Sequence, residues 1–526
     1  MAVPAKAIAW WVAAFALVAA CALIAWALTR GSVIPGDMFG IDKATVTTVN
    51  RKAALGAGKR PDLPNIYLVS VDTERADHTS AYGTKEKSTP FLDELAKDGI
   101  LFRNVVAPGP WTVPSMYSLI TGVYPSEHGI VSGDEQNRGI TGQPVLPDEA
   151  TTLAELLHAR GYSTFGVNTN LHLAAKLGFA QGFDAFAGTS FQDLPFTNLV
   201  VRAWKDVILR SAPFFLWTHY FDPHQPYVLH KPWFQEWNKS RYPDYAALFA
   251  DTALDALGIR TAVPQAAGLP LFAKFALVKG AMDKVRGAAR GSPLPDPKVS
   301  PEMSGQSMAF LRAAYMSEIR ADDLEIQNLC AGLGLDRNTI IVYVADHGEE
   351  FLEHGDFGHR AGTHLYQELL HIPMVIVLPD RTGAGKVVDT AVSLVDVMPT
   401  LLDLAGTPIP ASLSGRSLAP LIRGGALAPR PLFSEVVRYD STARAIVEYP
   451  WKYIWNFTSK TGELYNLTAD PAEKNDLSGF EAQRAADMRA RLLAWAQSAR
   501  PRWRVGPSTA LAPDEIERLK AMGYLR

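Results

Sequence analysis

The strands of this chain stand out as continuous apolar runs rather than as alternating patterns. Asn65–Val71, Tyr162–Asn168, Pro213–Thr218 and Thr339–Ala345 are short and largely apolar, the form a strand takes when both of its faces are covered. Between them lie segments of helical period: Thr89–Asp98 with Pro90 in its first turn, Thr151–Gly161, and Arg312–Leu333 leading into the fourth strand. Strand and helix alternate, so the pattern predicts an α/β fold on a mainly parallel sheet. Open sheets of this kind bind ligands at the carboxyl ends of their strands. The residues delivered there are Asp72 after the first run, His219, Asp222 and His224 after the third, and Asp346, His347, Glu349 and Glu350 after the fourth.

A different apolar pattern opens the chain. Ala7 to Thr29 holds no charged residue, carries Trp10, Trp11 and Trp26 near its ends, and is flanked by Lys6 and Arg30. At about 1.5 Å per residue it can cross a bilayer core of roughly 30 Å, and residues 1–30 read as one N-terminal transmembrane helix, an uncleaved signal anchor. A cleaved signal peptide and a lipoprotein signal ending at Cys21 are the alternatives; the apolar run Ala22–Trp26 weighs against the second. Residues 31–63, with Gly, Thr and basic side chains, read as a linker.

Trp111–Gly122 reads as a loop feeding a short helix, with Pro114 where a missing N–H does no harm, Ser115 as an early cap and Gly122 at its end. Thr112 is then expected just ahead of the helix N-terminus. Backbone N–H groups and the helix dipole favour an anion there, which suits a nucleophile.

Composition narrows function by exclusion. The 526 residues are 48% hydrophobic and 20% charged, with a formal net charge of -3 and none of the basic excess of a nucleic-acid binder. The cysteines, Cys21 and Cys330, lack metal-ligand spacing, which excludes a cysteine-rich zinc site. Residues 240–300 break the alternation as an insert, within which Leu271–Arg286 reads as a solvated amphipathic helix, a membrane-surface helix or lid being the rarer outcome. From about residue 430 the pattern shifts to strands rich in Tyr, Trp and Asn and a helix over Glu481–Ser498. The domains expected are therefore 64–429 and a smaller C-terminal α+β subdomain, 430–526.

Seven segments in order carry a family pattern: NIYLVSVDTERAD from Asn65, PWTVPSMYSLITGVYPSEHG from Pro110, ADHGEEFLEHG from Ala345, LYQELLHIP from Leu365, SLVDVMPTLLDLAG from Ser393, GELYNLTADPAEKNDL from Gly462, and the closing LAPDEIERLKAMGYLR. In these the chain resembles the sulfatase family of the alkaline phosphatase superfamily. The resemblance implies an α/β sandwich with a central mixed, mainly parallel sheet and a C-terminal subdomain. It implies one divalent cation, or two, held by Asp72, Asp346 and His347, with Thr112 as the nucleophile on the same ion. Two carboxylates and an imidazole favour Zn²⁺ or Mn²⁺, with Ca²⁺ or Mg²⁺ as alternatives. By resemblance His224 and His359 are catalytic, and Asn170, His219 and His364 form the substrate-binding set; His364 competes with His359 because the local spacing is irregular. His128, Glu349 and His354 are expected behind these residues or in structural roles. The family is largely exported, so the body is expected on the periplasmic or extracellular side of the membrane.

Three departures bear on the reaction. Thr112, Pro114 and Met116 stand where sulfatases carry CxPxR, so the convertible residue and the arginine are both absent and formylglycine cannot form. Thr73 replaces the second acidic ligand, and Thr169-Asn170-Leu171-His172 replaces a lysine–histidine substrate motif. The expected activity is a metal-dependent hydrolase or transferase of phosphate or sulfate esters, acting on a glycan, lipid or small molecule. A sulfatase working without formylglycine and an inactive membrane-tethered binding protein are the alternatives.

Overall fold

Nine strands form the central sheet: β1 (Val46–Thr47), β2 (Asn65–Val71), β3 (Ile100–Phe102), β4 (Ser163–Asn168), β5 (Ala185–Gly188), β6 (Phe214–Tyr220), β7 (Thr339–Ala345), β8 (Met374–Val377) and β9 (Lys386–Val388). Their order is β1-β5-β4-β6-β2-β7-β8-β3-β9. The run from β5 to β7 is parallel throughout, while β1, and β8 against both of its neighbours, pair antiparallel. The sheet is mixed and mainly parallel, as the apolar runs predict. The computed structural model describes residues 46–47, 62–131, 142–188, 195–225, 227–244, 301–335, 338–355, 357–359, 364–438 and 441–510. The anchor read over 1–30, nearly all of the linker, the insert beyond residue 244 with its Leu271–Arg286 helix, and the closing segment from residue 511 lie outside the described residues. Among the described residues no helix is long and apolar enough to cross a membrane.

The side chains of β2 show why its run is uninterrupted. Ile66 and Leu68 face one core with α2 (Thr112–Thr121), α3 (Leu153–Arg160) and α6 (Val397–Leu404). Tyr67, Val69 and Val71 face the other, with α1 (Pro90–Asp98), α4 (Pro195–Arg210) and α5 (Pro301–Leu333). Helices on both faces leave a central strand no polar side.

At the C-terminal side, Leu432–Arg438, Ser441–Glu448, Trp451–Asn456 and Thr461–Asn466 form an antiparallel sheet. Ile446, Tyr453, Trp455 and Leu464 pack on Met488 and Leu492 of α7 (Ala482–Ser498), whereas Val436, Ala445 and Ile454 join the large core. Gly506–Ala510 then pairs with Gly142–Val145, strapping the end of the described chain onto the larger body.

Candidate active site

Four segments bring polar side chains to one point at the carboxyl edge of the sheet. Val71 of β2 has Tyr220 and Ala345 as its neighbours, so Asp72 and Asp346 leave the edge side by side. Backbone bonds from Asp72 N–H to Tyr220 O (2.9 Å) and from Asp346 N–H to Val71 O (3.2 Å) carry the ladder one step beyond the strands. His347 follows, then Gly348, where a Cβ would stand 2.0 Å from Glu368 O and only glycine fits.

Thr112 arrives from the side. It is the first residue of α2 rather than the residue ahead of it, and Trp111, extended and fully buried, takes the cap position without a side-chain cap. Ser115 does not cap the helix; its Oγ donates to Gly109 O (2.8 Å) and ties down the incoming loop. Gly122, with φ 66°, ends the helix as expected.

The donor atoms stand close together. Thr112 Oγ is 3.4 Å from Asp72 Oδ2 and 3.5 Å from His347 Nε2. His347 Nε2 is in turn 3.3 Å from Asp72 Oδ1 and 3.5 Å from Asp346 Oδ2. Asn170 Nδ2 donates to Asp72 Oδ2 (2.7 Å) and reaches Thr112 Oγ at 3.4 Å. His347 Nδ1 lies 2.8 Å from Gly348 O, so its N–H donates there and Nε2 is turned to the carboxylates. Asp72 Oδ1 and Asp346 Oδ2 accept no hydrogen bond. Donors around a tetrahedral ion at bond lengths of 2.0–2.2 Å stand about 3.4 Å apart, and the separations here match. Asp72, Asp346 and His347 therefore fit a divalent cation.

Charge in this buried place is unbalanced without one. Burial, and then Asp72 beside it, push the Asp346 carboxyl up to about 7. Burial also opposes charge on Asp72 and His347. Even so, His219 and His347 hold Asp72 well below the usual carboxylate range, and Asp346 and Asp72 raise His347 to about 9.

A second cluster adjoins the first. His224 Nε2 and His359 Nε2 are 3.2 Å apart, and the His359 ring centroid lies 4.5 Å from that of His347. Glu349 Oε1 is 3.0 Å from His359 Nδ1, and Tyr227 donates to Glu349 Oε2 at 3.1 Å. Burial pushes Glu349 up to about 7; burial and the neighbouring His359 push His224 down to about 3.

The remaining expected residues fall elsewhere. His364 pairs with Glu350 (3.1 Å) and packs on Tyr366. His219 lies deeper than a substrate contact would, fully buried, with Nδ1 2.9 Å from Ser70 Oγ. His128 sits beneath α2, accepting from Ile130 N–H at Nδ1 (3.0 Å) and donating from Nε2 towards Pro114 O and Ser118 Oγ. His354 bonds Glu368 and Glu473 O, at the C-terminal subdomain.

Two site supports have no place in the motif reading. Tyr315 of α5 donates to Thr73 O (2.7 Å) and accepts from Arg75 N–H (3.0 Å), holding the turn in which Thr73, at φ 56°, donates its N–H to Asp346 Oδ1. Arg75 Nη1 donates to Glu349 O (2.9 Å) and pairs with Asp77 and Glu353. Arg75 could have been flagged as a cation four residues past a strand end; Tyr315 has no such signal.

Comparison with known proteins agrees with this architecture. The family profile described as Sulfatase matches residues 64–407, and one described as N-sulphoglucosamine sulphohydrolase, C-terminal, matches residues 352–498. Among curated proteins, the N-acetylglucosamine-6-O-sulfatase of Bacteroides thetaiotaomicron is 24% identical over 79% of this chain and 83% of its own length. Human arylsulfatase A is 29% identical over 80% of each. A solved phosphonate monoester hydrolase of Agrobacterium radiobacter shares the fold at TM-score 0.60, with 21% identity over 83% of this chain and 96% of its own. With its matching profile spanning most of the chain and its strand-end site in place, this protein belongs to the sulfatase family, ester hydrolases of the alkaline phosphatase superfamily.

Proposed function

We propose that the protein is a metal-dependent hydrolase of phosphate or sulfate esters in which the unmodified Thr112 hydroxyl is the nucleophile. The observation that carries this is the position of Thr112 Oγ, at a helix N-terminus, 3.4 Å from Asp72 Oδ2 and 3.5 Å from His347 Nε2. A divalent cation on Asp72, Asp346 and His347, with Zn²⁺ or Mn²⁺ favoured by the donor set, would lower the hydroxyl pKa and polarise the ester oxygen.

The chain's own groups supply the rest. Thr112 Oγ–H points at Asp72 Oδ2, the direction in which its proton leaves as Oγ bonds to the phosphorus or sulfur. Asn170 Nδ2, beside both atoms, donates to charge gathering on the transferred group. The bond to the substrate alcohol breaks, and His224 and His359 stand together to return a proton to that oxygen. Water then releases the acid from Thr112, the same histidines taking a proton from the water while the proton that left towards Asp72 returns to Thr112 Oγ.

Sulfate esters are favoured by the naming of the curated relatives as sulfatases, phosphate esters by a threonine that cannot become formylglycine. Purified protein should be assayed on matched aryl phosphodiester, phosphomonoester and sulfate substrates, with metals restored one at a time. Turnover of one class with a covalent adduct on the Trp111–Met116 peptide supports the proposal; metal-independent turnover without an adduct overturns it. We also propose, from the charge-free run Ala7–Thr29, that the body is membrane-anchored and faces away from the cytoplasm. A reporter fused after Arg526 and active only in the cytoplasm overturns that.

A further inference from the structure

His359 stands at the base of a hairpin. Glu350–Phe351 pairs with Phe357–Gly358, so Glu349 enters and His359 leaves side by side, and their 3.0 Å contact closes the base. The residues between the strands meet the C-terminal subdomain. His354 Nε2–H donates to Glu473 O (3.0 Å), and Lys474 Nζ donates to Glu353 O. The His354 ring stacks on Tyr366, whose hydroxyl donates to Glu463 Oε2 (2.8 Å). Glu473 also takes the segment that follows the hairpin: its Oε2 accepts from Gln367 N–H (2.6 Å), while Oε1 pairs with the fully buried Lys452 at 2.8 Å. One residue of the subdomain therefore grips the chain on both sides of His359. Its backbone is left-handed, φ 52°, a conformation that favours glycine and persists at other residues only where the surroundings impose it. Asp470 imposes it here, taking Glu473 N–H on its carbonyl (3.1 Å) and Asn475 N–H on its carboxylate (2.7 Å).

We propose that Glu473 is a positioning residue of the reaction, and that the C-terminal subdomain acts through it to hold His359 at the leaving-group oxygen. This rests on the reading above of His359 as a proton donor to that oxygen. The hairpin is two residue pairs long, too short to fix its base by its own ladder. The place of His359 is therefore set by what grips the tip of the hairpin and the segment after it. Arg75 and Arg312 hold Glu353 from the larger body (2.7 and 2.9 Å), and Glu473 supplies the second hold. Asp72 and Asp346 need no such hold, because they leave the sheet edge and are set by its register.

Two variants cut the grip from its two ends. Glu473→Gly with Lys452→Met suits φ 52°, removes the buried ion pair as a pair, and frees Gln367 N–H. His354→Phe keeps a ring on Tyr366 and gives up the bond to Glu473 O. On full-length Zn²⁺-loaded protein, kcat is compared for a phenyl and a nitrophenyl ester of the phosphate or sulfate class that the wild type turns over. The ratio of the phenyl to the nitrophenyl rate should fall about 10–100-fold in each variant, the cost of moving a reacting group by about 1 Å, with Zn²⁺ affinity near wild type. Glu473→Gln with Lys452→Met keeps an acceptor for Gln367 N–H and should restore the ratio. A residue that only stabilises the fold would lower both rates alike, so an unchanged ratio in either of the first two variants, with wild-type far-UV circular dichroism, overturns the proposal. A glutamine variant with a ratio as low as the glycine variant's overturns it too. If His359→Gln itself leaves the ratio unchanged, the proton-donor reading of His359 falls and this inference with it; if His359→Gln lowers the ratio and the Glu473 variant does not, only this inference falls.

Discussion

The site joins two clusters built in different ways, which meet at His347 and His359. On one side Asp72, Asp346 and His347 leave the ends of adjacent strands, set by sheet register and by backbone bonds that continue the ladder. On the other, His224 and His359 come from loops, set by side chains: Glu349 behind His359, with Tyr227 behind Glu349. The first cluster is rich in carboxylate and short of donors, which suits holding a cation. The second is an imidazole pair, with His224 pushed down to about 3 and so neutral, beside a carboxyl raised to about 7, the group in this cluster poised to pass protons near neutral pH. In the proposed reaction the rigid sheet edge holds charge, and the loops move it.

The largest effects should come at the nucleophile and the carboxylate cluster beside it. Thr112→Ala should lower kcat by more than about 10³-fold, beyond the loss of a single stabilising donor, with KM little changed. Thr112→Ser should keep a measurable fraction. A Thr112→Ala protein with near wild-type kcat would place the nucleophile elsewhere. On the carboxylate side, His347→Ala should weaken metal binding by more than about 100-fold while far-UV circular dichroism stays unchanged. Equal metal in the two proteins, read by elemental analysis after dialysis, would remove His347 from the ligand set.

The same difference explains what could be read from the sequence. A strand covered on both faces is written as an apolar run, and its end as the first carboxylate, so Asp72 and Asp346 are legible one residue at a time. The pattern places Thr112 one residue too early: the cap position falls on Trp111, which has no polar side chain to mark it as a cap. The loop cluster is not legible in this way. Spacing leaves His359 and His364 equal; the choice is made by Glu349 and Glu350, adjacent residues whose side chains take one histidine each. The bond between Trp217 and Ser70, 147 residues apart, exists only once β2 and β6 have paired.

That choice between histidines is the next test. His359→Gln should slow an ester with a poor leaving group by about 10²–10⁴-fold, the range of a lost general acid. The same variant should hardly slow a nitrophenyl ester, whose leaving oxygen needs no proton. His364→Gln should leave both rates near wild type, since His364 is tied to Glu350. If His364→Gln were the slower of the two on the poor leaving group, the roles of the two residues would be exchanged.

The smallest expected effect belongs to a histidine in neither cluster. His128 accepts from Ile130 N–H at Nδ1 and donates from Nε2 beneath the first turn of α2, so it is neutral, with every ring nitrogen engaged. Burial pushes it down to about 3. An unfolded histidine binds its proton near pH 6.5, so between about pH 6.5 and 3 the unfolded chain holds a proton that the folded one does not. Stability from this residue is complete above that window and is lost as pH falls through it, by about 1.4 kcal/mol per unit. His128→Gln keeps a donor for Pro114 O and removes the titration. Urea midpoints measured from pH 7 to pH 5 should therefore fall more steeply for the wild type than for the variant, whatever the two proteins' stabilities at pH 7. Parallel slopes would mean that His128 is protonated in the folded protein, and that the turn carrying Thr112 rests on a charged group.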